Sequence, residues 1–143
     1  MANVIEQISV FLENRPGSLV EVLELLGAHG VNLRAYSVAE TTDYGILRLI
    51  VHEPGAVEAL LKSAGYPVRK TEVLGVLISD TPGASVESFR LLHAAGINVE
   101  YSYAFALAGS GQAVLLLRVD DCARAEEALS GAGIALARHT EIF

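Results

Sequence analysis

The sequence predicts an α+β protein of two ferredoxin-like βαββαβ repeats, each an antiparallel sheet with its helices packed on one face. Three observations lead to this prediction. They are an internal duplication, short apolar segments of strand character, and, between these segments, apolar residues at the spacing of one helix face. The blocks that match at an offset of 66 residues are 15–17 with 81–83 and 30–33 with 96–99. The blocks that match at an offset of 68 are 46–49 with 114–117 and 64–66 with 132–134. Two residues have therefore been inserted into the second copy, most simply in the turn at 109–111.

The first repeat begins with a strand and a helix. Segment 5–12 is rich in branched and aromatic residues and ends at the turn 13–17, as a strand does. The next segment carries one apolar stripe at i, i+3, i+4 and i+7 and stops at Gly30, which indicates a helix. The stripe consists of Leu19, Val22, Leu23 and Leu26.

A hairpin and a second helix follow. Segments 31–40 and 44–52 have strand character on either side of the turn 41–43. After a break at Pro54 a second stripe indicates a helix, and a short strand near 66–68 closes the repeat. The same order recurs in the second repeat. The second stripes of the two repeats are Val57, Leu60, Leu61 and Ala64, and Ala125, Ala128, Leu129 and Ala132.

The duplication predicts two domains of similar size, 1–71 and 72–143. Units of about 70 residues bury a modest fraction of their surface alone, so we expect the two to pack side by side or sheet to sheet. Segment 68–72 is too short for a flexible linker. Exposed edge strands also favour a homodimer, because pairing covers the edges that remain.

Composition excludes several classes of protein. The chain has 143 residues with 52% apolar and 19% charged residues, which is the composition of a compact globule and not of a disordered chain. No apolar run approaches the ~18 residues of a membrane span. The first six residues have neither the basic start nor the apolar stretch of a signal peptide, so we expect a cytoplasmic protein. A single cysteine, Cys122, excludes an intrachain disulfide and a cysteine metal cluster.

The charge of the chain argues against nucleic-acid binding. The formal net charge is −7. Residues 1–71 hold six basic and eight acidic groups, and residues 72–143 hold four and nine. Neither half offers a basic face, and affinity for nucleic acid comes mostly from Lys and Arg against phosphates. We expect no nucleic acid and no membrane among the partners.

The strand-to-helix corner at 14–19 is repeated at 80–85, and we call these corner 1 and corner 2. Proline presets φ in each corner, and glycine allows a positive φ or a close backbone approach. The first amides of a helix face outward beside its positive end, which suits a carboxylate. One such corner favours a capped turn that binds nothing. Two copies, each followed by Gly-x-Asn, favour a binding site.

The pattern Asn-x-Pro-Gly-x-Leu, a helix, Gly-Val-Asn and a hairpin resembles the ACT domains, small βαββαβ regulatory modules that bind amino acids. Corner 2 fits less fully, because Ser85 stands where the pattern has leucine. The resemblance covers nearly the whole chain as two copies and implies a ligand at an interface between paired ACT domains. It would be held by the corner of one domain and by groups near the second strand of its neighbour. The residues implicated are Asn14, Arg15, Pro16, Gly17, Ser18, Leu19, Asn32, Asp80, Thr81, Pro82, Gly83, Ala84 and Asn98.

An amino acid is a zwitterion, and its two charges need different partners. Amides of residues 17–19 or 83–85 would donate to the carboxylate, while Asn side chains, carbonyls and Asp80 would accept from the ammonium. Asn32 and Asn98 have an alternative, a left-handed turn after a helix end. Three tyrosines of the second strands would line a side-chain pocket or simply pack with a hydroxyl at the edge. These are Tyr36, Tyr101 and Tyr103.

Nothing in the sequence indicates catalysis, a metal or a cofactor. The histidines have no metal-ligand spacing, and they are His29, His52, His93 and His139. Adjacent carboxylates at 120–121 and 126–127 point apart, so they do not form acid pairs. Cys122 opens a helix, where a small packing residue is the common role. The glycines of 109–111 lie between two strands, as in a hairpin turn and not in a nucleotide loop.

The sequence therefore predicts a non-catalytic, allosteric regulatory module that binds a small ligand, an amino acid, at an ACT–ACT interface. The alternative is an interaction module that docks a metabolic enzyme or regulator and binds no metabolite. The expected partners are a small-molecule ligand, a second copy of the chain and a metabolic enzyme.

Overall fold

The structure is a computed structural model that describes residues 4–40 and 43–143. The chain divides into two compact units. The first unit is Glu6–Thr71, and the second contains Val4, Ile5 and Glu72–Phe143. The order βαββαβ predicted for each repeat is confirmed. The domain limits 1–71 and 72–143 stay a prediction, and the predicted turn at 41–43 lies partly outside the described residues.

In the first unit the strands form an antiparallel sheet. Strand β3 lies between β2 and β1, and the amide of Phe11 donates to the Pro67 carbonyl at 3.0 Å, which brings the start of β4 beside β1. The elements are β1 (Val4–Glu13), α1 (Ser18–Ala28), β2 (Ala35–Glu40), β3 (Tyr44–Ile50), α2 (Pro54–Ser63) and the start of β4 (Val68–Ser79).

One face of this sheet lies against both helices. Residues alternate between the faces of a strand, so Ile8 and Val10 of β1 lie on the same face as their cross-strand partners Leu49 and Leu47. These four side chains are fully buried. The helices add their own apolar stripes to this core, with Val22, Leu26, Val57 and Leu61 buried. The stripes predicted from the sequence thus face the core.

The second unit repeats the arrangement. Strand β6 pairs with β4 and β5, and β7 pairs with β4, all antiparallel. Its elements are the rest of β4, α3 (Val86–Ala94), β5 (Val99–Leu107), β6 (Gln112–Val119), α4 (Cys122–Gly131), β7 (Leu136–Ala137) and a 3-10 helix (His139–Ile142). Its separate core contains Leu74, Val76, Leu92, Leu115, Leu117, Ala125 and Leu129.

Helix α1 stops at Gly30 as predicted, but the strand after it begins later than predicted. In α1, Gly30 has a φ of 69°, its amide donates to the Gly27 carbonyl, and the Val31 amide donates to the Leu26 carbonyl. This is the Schellman pattern, which satisfies the last carbonyls of a helix. Because Val31 completes the cap, β2 begins at Ala35 and not at residue 31.

The predicted short strand near 66–68 is also different. Tyr66 completes the equivalent cap of α2, since its amide donates to the Leu61 carbonyl at 3.0 Å. The strand starts at Val68 and runs without a break to Ser79. The segment 68–72, predicted to lie between the repeats, is therefore part of one continuous strand.

Candidate functional site

Corner 1 is held by backbone hydrogen bonds. The Asn14 amide donates to the Asp43 carbonyl at 3.3 Å, and the Ser18 amide donates to the Arg15 carbonyl at 3.3 Å. The first bond of α1 runs from the Glu21 amide to the Gly17 carbonyl at 2.9 Å. Gly17 is the N-cap residue, and no side chain caps the helix. Helix geometry therefore leaves amides of the first turn without an intrahelical acceptor.

Gly17 gives this corner its shape and its open surface. Its φ of 88° lies in the left-handed region, where glycine carries no steric penalty. A Cβ atom added to Gly17 would meet nothing within 4 Å. Residues 14–17 are exposed, whereas Ser18 is buried beneath them. A small ligand can therefore reach the corner, and a side chain at Gly17 would project into the same space.

Arg15 forms ion pairs with Glu13 and Glu21 across corner 1, and we call this group of three side chains the Arg15 strap. Its Nη2 donates to Glu21 Oε2 at 2.9 Å, its Nη1 donates to Glu21 Oε1 at 3.3 Å, and its Nε donates to Glu13 Oε2 at 3.2 Å. Hydrogen bonds and the charge of Arg15 lower the pKa of Glu21 from its ordinary value. All three side chains are exposed. The strap holds a cation beside the start of α1.

Corner 2 has nearly the same backbone. The Asp80 amide donates to the Gly111 carbonyl at 2.9 Å, and the Ala84 amide donates to the Thr81 carbonyl at 3.3 Å. Gly83 has a φ of 76° and open space around its missing Cβ. The helix begins later, because the Val86 amide donates to the Gly83 carbonyl, three residues before it, at 3.1 Å. The second corner therefore contains a tighter turn before α3.

The charges of corner 2 are different. The Ser79 and Thr81 hydroxyls are 2.8 Å apart, where corner 1 has Glu13 and Arg15. Asp80 and Glu87 are exposed, and among residues 4–40 and 43–143 no cation forms an ion pair with either carboxylate. Corner 2 thus presents carboxylates where corner 1 presents a paired arginine. It suits the ammonium of a ligand better than corner 1 does.

Two of the amides assigned to a ligand carboxylate are already bonded. The Ser18 and Ala84 amides donate to carbonyls within their own turns. Leu19 belongs to the first turn of α1, where the amides have no intrahelical acceptor. In corner 1 the Gly17 and Leu19 amides are therefore the better candidates.

Asn32 and Asn98 lie at the far ends of the helices that start at the corners. Both are exposed and come four residues after the ends of α1 and α3. Helix α1 has 11 residues and so spans about 16 Å, which separates Asn32 from corner 1 within one repeat. Corner 1 and Asn32 of the same repeat are therefore at opposite ends of α1.

The left-handed alternative for these asparagines is wrong. Among the described residues only glycines have a positive φ, and Gly30 and Gly96 take the left-handed position. Asn98 is instead tied to the start of α4. Its amide donates to Asp120 Oδ1 at 3.2 Å, and its carbonyl accepts from the Asp120 amide at 3.2 Å.

The three tyrosines do not share one environment. Tyr36 pairs with the core residue Leu49, so it is on the helix side of its sheet, and it is 54% exposed. Tyr103 pairs with Leu116, which is on the face opposite the helices. Tyr101 and Tyr103 are half-buried. The equivalent edge strands thus place their aromatic side chains on opposite faces.

Asp121 and Cys122, which the sequence analysis considered for catalysis, form hydrogen bonds within the fold. Asp121 caps α4 by accepting from the Arg124 amide at 3.1 Å. Cys122 donates to the Glu72 carbonyl at 3.8 Å, and burial raises the pKa of its thiol, so the reactive thiolate is disfavoured. In the part of the chain that the structure describes, no group of His, Cys, Asp and Glu has metal-binding geometry. Within the same residues no helix combines the length and hydropathy needed to cross a membrane.

The partners of Arg15, which are Glu13 and Glu21, were not predicted from the sequence. Glu21 recurs as Glu87 at the same offset of 66 residues, but this recurrence does not indicate a contact with Arg15, because corner 2 has Thr81 at that position. The first helical turn after each corner therefore carries a glutamate.

Comparisons with known proteins agree with the fold. Residues 3–138 match the family described as ACT domain pair. A comparison with curated proteins gives no match. Among solved structures, protein BT0572 from Bacteroides thetaiotaomicron is 35% identical, with a TM-score of 0.91 over 99% of this chain and 96% of that chain.

More distant structures share the fold. The regulatory subunit of aspartate kinase from Thermus thermophilus, in its ligand-free form, is 14% identical, with a TM-score of 0.64 over 93% of this chain and 94% of that chain. The corresponding subunit from Thermus flavus is 12% identical, with a TM-score of 0.59 and the same coverage. The family match spans most of the sequence, and both copies of the βαββαβ unit are present. The chain therefore belongs to the ACT domain pair family.

Proposed function

We propose that this protein is a non-catalytic, cytoplasmic regulatory module that binds an amino acid. The observation that carries the proposal is the pair of open corners, where first-turn amides lack a side-chain cap beside Gly17 and Gly83. Membership of the ACT domain pair family supports the proposal. Ligand binding would change how domains or subunits pair, which is how such a module acts on its target.

The proposed ligand binds by both of its charges. The carboxylate accepts hydrogen bonds from first-turn amides, aided by the positive end of the helix. The ammonium is held by Asp80 in corner 2 or by the side-chain oxygen of Asn14 in corner 1. Asn32 or Asn98 of a neighbouring domain completes the site. Pro16, Thr81 and Pro82 shape the turns, and the Ser18 and Ala84 amides close them.

The proposed target is a metabolic enzyme. The Thermus relatives are named as regulatory subunits of aspartate kinase, and each is nearly the same length as this chain. By analogy we propose that this protein regulates a metabolic enzyme. Which enzyme it regulates is a question for affinity capture once the ligand is known.

A second candidate function is a docking module that binds no metabolite. The observation that favours it is the exposed Tyr36 and Val38 on β2, at 54% and 43% exposure. Exposed apolar side chains on an edge strand are typical of a protein-binding surface. The two candidates differ in whether a free amino acid stabilises the folded protein.

The first test is a thermal-shift screen against the twenty amino acids. A ligand present at ~100 times its dissociation constant stabilises the native state by ~2.7 kcal/mol, which raises the melting temperature of a chain of this size by several degrees. A selective shift supports the sensor. No shift at millimolar concentration contradicts it and favours the docking module.

Glycine variants would locate the site. Gly17→Asn and Gly83→Asn place a side chain into the open corners, and asparagine tolerates a positive φ better than other residues do. Gly65→Asn and Gly133→Asn are matched controls, because these glycines have φ values of 90° and 80°, open surroundings, and positions at helix C-termini. We expect the rise in melting temperature caused by the amino acid to disappear in one corner variant and to persist in both controls. Loss in the controls as well would contradict a site at the corners.

A further inference from the structure

The guanidinium of Arg15 lies against the backbone of corner 1. Its Nη1 donates to the Pro16 carbonyl at 3.4 Å, and the same group reaches Glu21 in the first turn of α1. The Arg15 side chain remains about half exposed. A cation is therefore held on the exposed side of the strand-to-helix turn.

The carboxylate of Glu21 contacts this guanidinium through both of its oxygens. Oε2 accepts from Nη2 at 2.9 Å, and Oε1 accepts from Nη1 at 3.3 Å. This is the bidentate geometry in which arginine recognises a carboxylate. Glu21 thus occupies the position that the carboxylate of a free amino acid would take on Arg15. Because both side chains are about half exposed, the pair contributes little stability, and a competing carboxylate can displace Glu21.

A second donor of corner 1 is the hydroxyl of Ser18. The residue is only 8% exposed and lies beneath the exposed residues 14–17. In the part of the chain that the structure describes, this hydroxyl forms no hydrogen bond. Buried polar groups normally have a partner, so a hydroxyl without one beneath an open surface points to an acceptor from outside the chain. The guanidinium, this hydroxyl and the Leu19 amide all donate, and a carboxylate accepts from such groups.

Corner 2 lacks both of these side-chain donors. At the offset of 66 residues, Thr81 replaces Arg15 and Ala84 replaces Ser18. The Thr81 hydroxyl is already within 2.8 Å of the Ser79 hydroxyl. The backbone of the turn is thus shared by the two corners, whereas the side chains suited to a carboxylate are present in corner 1 and not in corner 2.

We propose that Arg15 binds the carboxylate of the ligand in corner 1, and that Glu21 occupies the guanidinium until the ligand displaces it. The inference rests on the proposed amino-acid-binding function and assigns the carboxylate of the ligand to one of the two corners. On binding, the ligand carboxylate replaces Glu21 at Nη1 and Nη2 and accepts from the Ser18 hydroxyl and the Leu19 amide. Glu21 then moves into solvent. Its competition for Arg15 lowers the affinity of the site, so the ligand binds only above a higher concentration.

The test is a titration of the complete, isotope-labelled chain with acetate, which has a carboxylate and no ammonium. Sodium acetate replaces sodium chloride at a constant ionic strength of about 0.1 M, so that screening does not change. Amide and guanidinium resonances are followed by NMR. We expect the Leu19 amide and the Arg15 Nε–H to shift with the same dissociation constant. The Ser85 amide, at the position equivalent to Leu19 in corner 2, should shift less.

Four variants separate displacement of Glu21 from a general effect of charge. Glu21→Gln should bind acetate roughly two- to fivefold more tightly than the wild type, because it removes the competitor. Glu24→Gln is the matched control. It removes the same charge from an exposed position one turn further along α1, and among the described residues Glu24 forms no ion pair. Arg15→Gln should weaken acetate binding roughly tenfold, and Ser18→Ala should weaken it by a smaller factor.

Three results would overturn the proposal. Acetate would shift the corner 1 resonances equally in Arg15→Gln and in the wild type, or Glu21→Gln would bind no more tightly than Glu24→Gln, or corner 2 would respond more strongly than corner 1. Circular dichroism verifies that each variant is folded. Failure of the proposed function is a separate result, a thermal-shift screen in which no amino acid raises the melting temperature, because acetate tests the carboxylate site alone.

Discussion

Corner 1 and corner 2 share their backbone and differ in their charges. In each, a strand-end amide donates to the neighbouring hairpin turn, from Asn14 to Asp43 and from Asp80 to Gly111. In each, a left-handed glycine precedes the helix. These features come from main-chain bonds and from glycine, so they survive changes in the surrounding side chains.

The side chains of the two corners differ at several equivalent positions. Corner 1 has Arg15 paired with two glutamates, whereas corner 2 has Thr81 bonded to Ser79 and carries Asp80 instead of Asn14. Corner 2 has no arginine beside the first-turn glutamate of α3. The comparison shows that similar turns can carry either a cation or an anion at their surface, because main-chain bonds hold the turn.

The largest expected effect tests the shared backbone. Gly17→Val and Gly83→Val each force a β-branched residue into a left-handed conformation, which should cost about 2 kcal/mol of unfolding free energy. The cost arises from the backbone, since a Cβ at either position meets no atom within 4 Å. Urea denaturation followed by circular dichroism measures it.

Gly27→Ala is the control for this prediction. Gly27 lies inside α1, has open space around it and has no positive φ. Alanine is better than glycine inside a helix by roughly 0.5–1 kcal/mol, so this variant should be more stable than the wild type. Equal effects of the two kinds of substitution would show that the corner glycines are not conformationally required.

A second difference between the repeats lies at the start of their second helices. Asp121 caps α4 by accepting from the Arg124 amide, whereas Glu53 at the equivalent position of α2 makes no side-chain cap. Both N-cap residues have extended backbone, with φ values of −143° and −121°. A shorter acidic side chain reaches the first-turn amides, and a glutamate does not fit the same geometry.

Substitution of these two residues sharpens the comparison. Asp121→Ala should cost about 1 kcal/mol of unfolding free energy, because it removes the cap. Glu53→Ala should change the stability by less than about 0.5 kcal/mol. Glu53→Asp should instead stabilise the chain by a few tenths of a kcal/mol. Denaturant titrations of the three variants measure these changes in unfolding free energy. A cost for Glu53→Ala as large as that for Asp121→Ala would contradict the prediction that only Asp121 caps its helix.

The repeat order and the two cores could be predicted from the sequence, because apolar spacing alone assigns the faces of strands and helices. The boundaries of elements depend on hydrogen bonds that spacing does not report. Val31 has the character of a strand residue, but its amide completes the cap of α1. The polar segment 69–72 resembles a linker, yet its residues are outer positions of the continuous strand β4.

The backbone conformation of the two corners could be predicted from the sequence. Proline and glycine indicate the turn and the positive φ, and both glycines have it. The Arg15 strap was not predictable, because it depends on a turn that returns the chain from residue 15 to the face of Glu21. Spacing along one helix or one strand carries no information on a contact between two elements.

The smallest expected effect removes the charge of Arg15 from corner 1. Arg15→Thr gives corner 1 the residue of corner 2, and the pKa of Glu21 should return toward its ordinary value of 4.5 because its hydrogen-bond donor and neighbouring charge are gone. Carboxyl-detected NMR titrations of the variant and of the wild type measure this shift.

The sign of the pH dependence follows from the direction of the shift. A carboxyl whose pKa is lower in the folded state than in the unfolded state stabilises the protein above the unfolded pKa, and this contribution is lost as the pH falls through the folded value. The wild type should therefore lose the Glu21 contribution below about pH 4.5, whereas Arg15→Thr has none to lose. Because the strap is exposed, about 1 M NaCl should reduce the difference between the two proteins. A Glu21 titration that is the same in Arg15→Thr and in the wild type would mean that the strap does not persist in solution. In that case a paired arginine would not distinguish corner 1 from corner 2.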